Sequence, residues 1–327
     1  PVDRPDLKGR EDILKVHAKN KPISEDVDLK GSARRTPGFT GADLANVLNE
    51  AALLTAREGE KVITDRHLDE AIDRVMAGPQ RKSRLMSEEE RRVTAYHEAG
   101  HALVARALPH TDPVHKITIM PRGRALGYTM VLPDDDKYST TRNQLLDQLA
   151  YSLGGRAAEE LIFHDPSTGA SNDIEKATAL ARAMVTQYGM TEAIGAIKLG
   201  SDSSAPFMGR DYGHTRDYSE NVAAIVDGEV RSLIENAHQE AFDILVANRS
   251  ILDQMVLELL ERETLNKEEI EVIFAKVTSW PRRPAWTGSV HRVPSSQPPV
   301  DIPEKKVVAE AEAPKRAVRK KKAPASE

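Results

Sequence analysis

Apolar residues recur at helical spacing through most of the chain, and they predict a mainly α-helical protein. The clearest stripe in the first 78 residues follows Thr40, which stands where a helix N-cap is expected. Its members lie three or four residues apart: Leu44, Val47, Leu48, Ala51 and Leu54. Similar stripes begin near Arg10 and Thr64, and Gly78 closes the last of them. We therefore predict a compact helical bundle over residues 1–78.

A second helical region follows a charged linker over residues 79–86. Ser87 and Glu90 form the signature of a capping box, and the helix that they begin is predicted to end at Pro109. Alternating residues over 115–120 and 126–132 predict two strands of a small β-sheet. Further helices are predicted over 141–163 (with a break or bend at Gly154-Gly155), 173–188, 219–248, 250–262 and 267–277. This domain is expected to span residues 87–280.

The composition changes after residue 280, where Pro, Ser, Ala and Lys replace the periodic pattern. This change predicts a disordered basic tail over residues 281–327. From Arg282 onward the chain has eleven Lys and Arg against five Asp and Glu, although its total formal charge is −5. The folded part is therefore acidic, and nucleic acid is not expected as a partner. The basic cluster from Lys315 to Lys322 is typical of a solvated charge run rather than of a docking site for an anionic partner.

Several classes of protein are excluded by what the sequence lacks. It contains no cysteine, so disulfides, cysteine-ligated zinc and thiol catalysis are ruled out. No apolar run has the length of a membrane span, and the N-terminus has no signal-peptide pattern. Because the chain begins with Pro1 rather than Met, we expect a soluble piece of a longer protein.

One short stretch carries candidate chemistry. His97-Glu98-Ala99-Gly100-His101 reads H-E-x-x-H within a predicted helix, which places His97 and His101 one turn apart on the same face. Two such imidazoles can hold one Zn²⁺ from one side, and Glu98 can take a proton from an activated water, as in zinc peptidases. The alternative is a histidine pair that merely decorates a helix surface. The metzincin extension would need a further His where Ala107 stands, so that subclass is excluded.

A catalytic zinc site needs a third protein ligand, and the residues alone leave three acidic candidates. They are Asp112, the pair Glu159 and Glu160, and the pair Asp173 and Glu175. Asp112 is too close to the end of the motif helix to fold back easily. The glutamate pair fits a solvated or Arg-paired helix face. Asp173 lies in the first turn of a predicted helix, where the helix dipole keeps a carboxylate ionised, although it could be a simple cap.

Several segments in order resemble the FtsH family of ATP-dependent zinc metalloproteases, over residues 1 to about 276. The first group resembles the helical lid subdomain of an AAA+ ATPase: Arg4-Pro5-Asp6, Gly9-Arg10, Thr36-Pro37-Gly38-Phe39-Thr40-Gly41-Ala42-Asp43-Leu44, Asn49-Glu50-Ala51-Ala52 and Ala71-Ile72-Asp73-Arg74. In the family a zinc peptidase domain follows the lid, which is where the H-E-x-x-H motif lies here.

The resemblance implies one Zn²⁺ per chain and a role for each site residue. The segment from Thr168 to Glu175 is similar to the family segment whose Asp completes the zinc site, so Asp173 becomes the third ligand beside His97 and His101. Glu159 is then expected to orient a ligating imidazole. Glu98 would be the general base of a metalloendopeptidase.

The resemblance also implies an ATPase core, but the G-x-x-x-x-G-K-[ST] phosphate loop is absent from this chain. Residues matching His17, Gly41 and Ala42 line the adenine pocket in the family. Here we expect at most a residual nucleotide pocket, no ATPase activity, and ATP or ADP only in the full-length protein. For that protein the resemblance implies a homohexamer, anchored by upstream segments on the cytoplasmic side of the bacterial cell membrane. Its expected substrates are unfolded or membrane proteins.

Two interpretations stay open at this point. Leu126, Gly127 and Tyr128 form a predicted strand that could hold an extended substrate through main-chain hydrogen bonds, or the strand could simply cover the helical core. The chain as a whole could also be an assembly module, which needs no zinc, or a different zinc hydrolase such as an amidase. Zinc content tests the first alternative, and cleavage of an unfolded protein such as casein tests the second.

Overall fold

The structure, a computed structural model, describes residues 3–80, 86–123, 125–133, 135–200 and 218–301. Most of the predicted linker, residues 201–217 and the basic cluster from Lys315 to Lys322 lie outside these residues. The described chain is mainly helical with one small sheet, which confirms the predicted fold class.

The N-terminal bundle has its own apolar core. Its helices are α1 (Leu7–Ala18), α2 (Leu29–Arg34), α3 (Gly41–Arg57) and α4 (Asp65–Ala77). Thr40 and Asp43 form a reciprocal capping box at the start of α3, so the strongest sequence stripe begins where its cap predicts. Buried residues of all four helices meet in one cluster that includes Leu14, Leu44 and Leu68.

The second part of the chain is a helical body around a separate core. Its helices are α5 (Glu88–Ala107), α6 (Arg142–Phe163), α7 (Ser171–Thr186), α8 (Glu220–Ala247), α9 (Arg249–Arg262) and α10 (Lys267–Ile273). Short 3-10 turns precede α7 at Thr168–Ala170 and follow α10 at Phe274–Lys276. The long helices α5 and α6 pack against each other, and α8 covers the other side of α6.

A three-stranded antiparallel sheet lies along α5. It consists of β1 (Val114–Thr118), β2 (Tyr128–Val131) and β3 (Thr264–Asn266), in the order β2-β1-β3. The predicted strands differ from β1 and β2 by one or two residues at each end, and β3 was not predicted. A strand of three residues has too short a pattern to recognise, and it forms here because β1 offers a free edge. β2 occupies the opposite edge of the sheet.

Helix α6 runs without interruption through Gly154 and Gly155, so the break, one of the two predicted alternatives, does not occur there. The glycines serve a close crossing of α5 and α6 instead. A Cβ on Gly100 would lie 2.5 Å from the Gly154 carbonyl oxygen, and a Cβ on Gly154 would lie 2.8 Å from the Gly100 carbonyl oxygen. Helix propensity disfavours glycine by about 1 kcal/mol, and the packing of two backbones in contact overrides it.

The two cores are joined through charged side chains. Arg122, which is 4% exposed, donates two hydrogen bonds to Glu70 of α4, at 3.1 and 2.6 Å. Lys116 of β1 lies 2.5 Å from Asp73 of the same helix. The carboxylates of α4 therefore hold the bundle to the sheet.

Residues 278–292 pack along the helical body, contrary to the predicted disorder from residue 281. The backbone N–H of Trp280 donates to Ala107, and the Arg142 guanidinium lies 4.5 Å from the centroid of the Trp286 ring. Arg283 forms ion pairs with Asp147 and Glu240. The contacts are made by two tryptophans and an arginine, which are too few to form a periodic pattern. The composition of this stretch therefore led to the wrong prediction of disorder.

We expect Arg283→Ala to lower the free energy of unfolding by about 2–3 kcal/mol, because it strips Asp147 of its charge partner. Asp147 is 0% exposed, and from the described residues it would keep the hydrogen bond from the backbone N–H of His110, at 2.9 Å, but no cation. Urea unfolding followed by circular dichroism measures the difference. Arg282→Ala is the matched control, because its side chain is exposed and forms no ion pair with the part of the chain that the structure describes. Equal stability of the two variants would contradict the expectation.

Within the described residues, no helix is both long enough and apolar enough to cross a bilayer.

Candidate metal centre

The H-E-x-x-H motif lies in the middle of α5, in the part of the helix that the fold buries most completely. Ser87 and Glu90 form the predicted capping box, which fixes where α5 begins. His97 and His101 are 9% and 7% exposed, so the surface-decoration alternative does not describe them. The helix buries them because Ala99 and Gly100 let α6 approach closely.

Three donor atoms converge at this point. The Nε2 atoms of His97 and His101 are 3.1 Å apart, and Oδ2 of Asp173 lies 3.4 Å from the first and 3.5 Å from the second. Tetrahedral zinc with bonds of about 2.0–2.1 Å separates its ligand atoms by about 3.3 Å. Two imidazoles and a carboxylate are also a donor set that zinc accepts, so the three side chains fit such an ion.

Each imidazole is oriented by a hydrogen bond at its other ring nitrogen, Nδ1. Nδ1 of His97 lies 2.7 Å from Oε1 of Glu159, which is the contact that the role predicted for Glu159 requires. Nδ1 of His101 lies 2.8 Å from the carbonyl oxygen of Tyr151. When both Nδ1 atoms carry the proton and donate it, both Nε2 lone pairs point to the shared space.

The charges around that space favour a cation. Burial would lower the pKa of His97, but hydrogen bonds to Asp173 and Glu159 raise it to about 10. Burial would likewise raise the pKa of Asp173, but hydrogen bonds from both imidazoles hold it well below its usual range. These carboxylates favour positive charge in the space between the donor atoms, which a bound metal ion would supply.

Gly155 of α6 keeps the space open. A Cβ on Gly155 would lie 2.6 Å from Nε2 of His101 and 2.6 Å from Nε2 of His97. Real Cβ atoms do not approach that closely, so only glycine leaves room between the donor atoms. From the sequence alone, this glycine indicated only a break or bend in the helix.

Glu98 lies beside the three donors but is not one of them. It is 6% exposed, and burial raises the pKa of its carboxyl although the two imidazoles counteract this. The hydroxyl of Thr129 on β2 lies 2.8 Å from its Oε2. Thr129 was not predicted, because no local pattern relates residues 31 positions apart.

The predicted substrate strand lies next to this carboxylate. Of its three residues, Tyr128 begins β2, while Leu126 and Gly127 precede the strand. Only β1 pairs with β2 among the described residues, so the outer edge of β2 offers unpaired main-chain groups. Binding of an extended peptide there remains a prediction.

The residues predicted for a residual nucleotide pocket lie in the other core. His17 is exposed on α1, and Gly41 and Ala42 form the first turn of α3. They belong to the N-terminal bundle and contribute nothing to the metal centre.

A second cluster in the bundle has spacing that could also hold a metal: Glu58, Glu60 and His67. Arg66 already pairs with both glutamates, and Nδ1 of His67 accepts the backbone N–H of Thr64 at 3.1 Å. These contacts account for the cluster as an ion-paired helix cap.

Comparison with known proteins agrees with the two cores. Residues 84–273 match the model of peptidase family M41, and residues 26–70 match that of an AAA+ lid domain. Similar curated proteins are called ATP-dependent zinc metalloprotease FtsH. That of Cutibacterium acnes (strain SK137) is 66% identical over 93% of this chain and 42% of its own length. That of Mycobacterium leprae (strain TN) is 53% identical over 93% of this chain and 38% of its own. The chain thus spans less than half the length of these relatives.

Proposed function

The chain belongs to peptidase family M41, and on that premise we propose that it is a zinc-dependent endopeptidase whose general base is Glu98. The observation that supports this most directly is the triangle of donor atoms from His97, His101 and Asp173, with sides that fit one tetrahedral ion. A buried carboxylate on the same helix turn supplies the base that hydrolysis needs.

In this proposal each residue has a separate task. The two imidazoles and Asp173 hold the ion, and Glu159 and the Tyr151 carbonyl keep the imidazoles turned toward it. Zinc, when bound, supplies a Lewis acid that lowers the pKa of a water molecule and polarises the scissile carbonyl. Glu98 takes a proton from the attacking water and delivers it to the leaving amine nitrogen. The open edge of β2, beginning at Tyr128, aligns the substrate backbone beside Glu98.

We expect the purified chain, loaded with zinc, to hold one zinc per chain and to cleave unfolded casein. Glu98→Gln keeps the size of the side chain and all three proposed ligands, so it should keep the zinc. Its turnover should fall by at least about 10²-fold, because the general base is lost. Elemental analysis and cleavage of labelled casein measure the two quantities.

Glu89→Gln is the matched control, since Glu89 is exposed on the same helix. A chain without zinc would be an assembly module, and a zinc-loaded chain that leaves casein intact would be another kind of hydrolase. Wild-type turnover by Glu98→Gln would remove Glu98 from the mechanism.

For the whole protein we propose that proteolysis is coupled to ATP by the AAA+ ATPase to which the lid belongs. The match of residues 26–70 to an AAA+ lid supports this, as do the names of the relatives. His17, Gly41 and Ala42 would then contact the nucleotide. The family resemblance further supports a homohexamer, anchored in the bacterial cell membrane with this part on the cytoplasmic side. Unfolded and membrane proteins are its proposed substrates.

A further inference from the structure

The side chain of Thr129 reaches from the edge strand to the catalytic turn of α5. Its backbone lies opposite Ile117 in the pairing of β2 with β1, which fixes its position in the sheet. Its hydroxyl lies 3.0 Å from the main-chain oxygen of Glu98 and 2.8 Å from Oε2 of the same residue. One threonine therefore contacts both the backbone and the carboxylate of a single residue.

That hydroxyl is specific for one of the two carboxylate oxygens. Among the described residues, Thr129 is the side chain that hydrogen-bonds the Glu98 carboxylate, and the bond goes to Oε2. Oε1 accepts no hydrogen bond from those residues. A hydrogen bond to an ionised oxygen is short and directional, so it limits the rotation of the whole carboxylate.

Gly127, two residues before Thr129, completes the fit on the same side of the extended chain. A Cβ on Gly127 would lie 2.9 Å from Cγ and 3.0 Å from Oε1 of Glu98, and 2.6 Å from the carbonyl oxygen of Thr118. The missing side chain at 127 leaves space beside Oε1, while the hydroxyl at 129 holds Oε2. The edge strand thus restrains one oxygen and keeps the other accessible.

We propose that Thr129 is a positioning residue for hydrolysis: it fixes Oε2 of Glu98 so that Oε1 faces the attacking water. The inference rests on the proposed function. In the step concerned, the water oxygen bonds to the carbonyl carbon, and a water proton passes to Oε1. The carbon–nitrogen bond then breaks, and the same proton goes to the leaving amine nitrogen. Thr129 exchanges no proton in this sequence.

Substitutions at Thr129 separate positioning from simple packing. Thr129→Val keeps the shape and removes the donor, and Thr129→Ser keeps the donor. For Thr129→Val we expect kcat on labelled casein to fall about 10–100-fold with KM unchanged, the loss expected for one hydrogen bond to a charged group. Thr129→Ser should stay within about threefold of wild type. Zinc content and the thermal midpoint should stay at the wild-type values in both.

Two further variants control for effects elsewhere. Thr186→Val removes a hydroxyl that donates to the Arg182 carbonyl on α7 and should leave kcat unchanged. Thr129→Ala lacks both the hydroxyl and the γ-methyl, and its kcat should fall as much as that of Thr129→Val. If Thr129→Val does not fold, Thr129→Ala takes its place in the test.

The decisive variant combines Thr129→Val with Glu98→Gln. If Thr129 acts through Glu98, the double variant turns over casein no more slowly than Glu98→Gln alone. A further loss in the double variant would overturn the proposal, as would a serine variant as slow as the valine variant. Wild-type kcat in Thr129→Val would overturn this proposal and leave the endopeptidase intact. A zinc-loaded wild type that fails to cleave casein would overturn both.

Discussion

Replacing Gly155 by alanine is expected to abolish zinc binding and, with it, peptide hydrolysis. The new methyl group would stand 2.6 Å from Nε2 of both His97 and His101, in the space between the donor atoms. Moving helix α6 away would open a gap in the close packing of Gly154 against Gly100 of α5, which is costly in a dense protein interior. The imidazoles must therefore turn aside. Zinc affinity should fall by far more than the roughly 10–100-fold typical of losing an orienting partner.

Zinc retained after dialysis against a mild chelator, measured by elemental analysis, checks this expectation. Gly228→Ala is the matched control: Gly228 is a helical glycine of α8 whose added Cβ meets nothing within 4 Å. Helix propensity should make that variant more stable by about 0.5–1 kcal/mol, with zinc and activity unchanged. A Gly155→Ala chain that folds and holds a full equivalent of zinc would contradict the close fit around the donor atoms.

Asp173→Ala should empty the site as well, for a different reason. It leaves the two imidazoles as the only protein donors, and Zn²⁺ at a catalytic site is held by three. Asp173 lies in the first turn of α7, where removing its charge costs the helix only about 0.3–1 kcal/mol, so the fold should persist. The dissociation constant, measured by competition with a chelator, should rise by more than about 10²-fold.

Two variants accompany this measurement. Glu175→Ala removes an exposed carboxylate two residues away on the same helix, and it should leave the dissociation constant for zinc unchanged. Glu159→Gln should weaken zinc binding only about 10–100-fold, because it removes the partner of Nδ1 of His97 and leaves every donor in place. If Glu159→Gln empties the site while Asp173→Ala keeps its metal, then Glu159 is the third ligand.

The parts of the site that the sequence predicts are those encoded within one helix. The capping box at Ser87 fixes the start of α5, and the spacing of four residues places the two imidazoles on one face of it. Both features follow from helical spacing. Asp173 is different. It lies 72 residues after His101, and only the family resemblance chose it among three acidic candidates.

What the sequence could not provide depends on contacts between distant elements. Gly155 has a low helix propensity, and its role appears only once α5 lies against α6. Thr129 shows no sequence signal because its partner, Glu98, is on another element. Arg283 lies in a stretch whose composition indicates disorder, and the buried Asp147 that binds it stands 136 residues earlier.

The two apolar cores have no residue in common among the described parts of the chain. They are joined by the ion pairs of Glu70 with Arg122, of Asp73 with Lys116 and of Arg10 with Asp136. A boundary of this kind makes the architecture modular. Either core can accept substitutions, insertions or repacking without a compensating change of volume in the other. The six charges of these ion pairs must vary together. Reversing Glu70 together with Arg122, and Asp73 together with Lys116, would yield a chain whose two cores still recognise each other. They would pair less well with those of the parent, because of these three ion pairs only that of Arg10 with Asp136 would remain compatible.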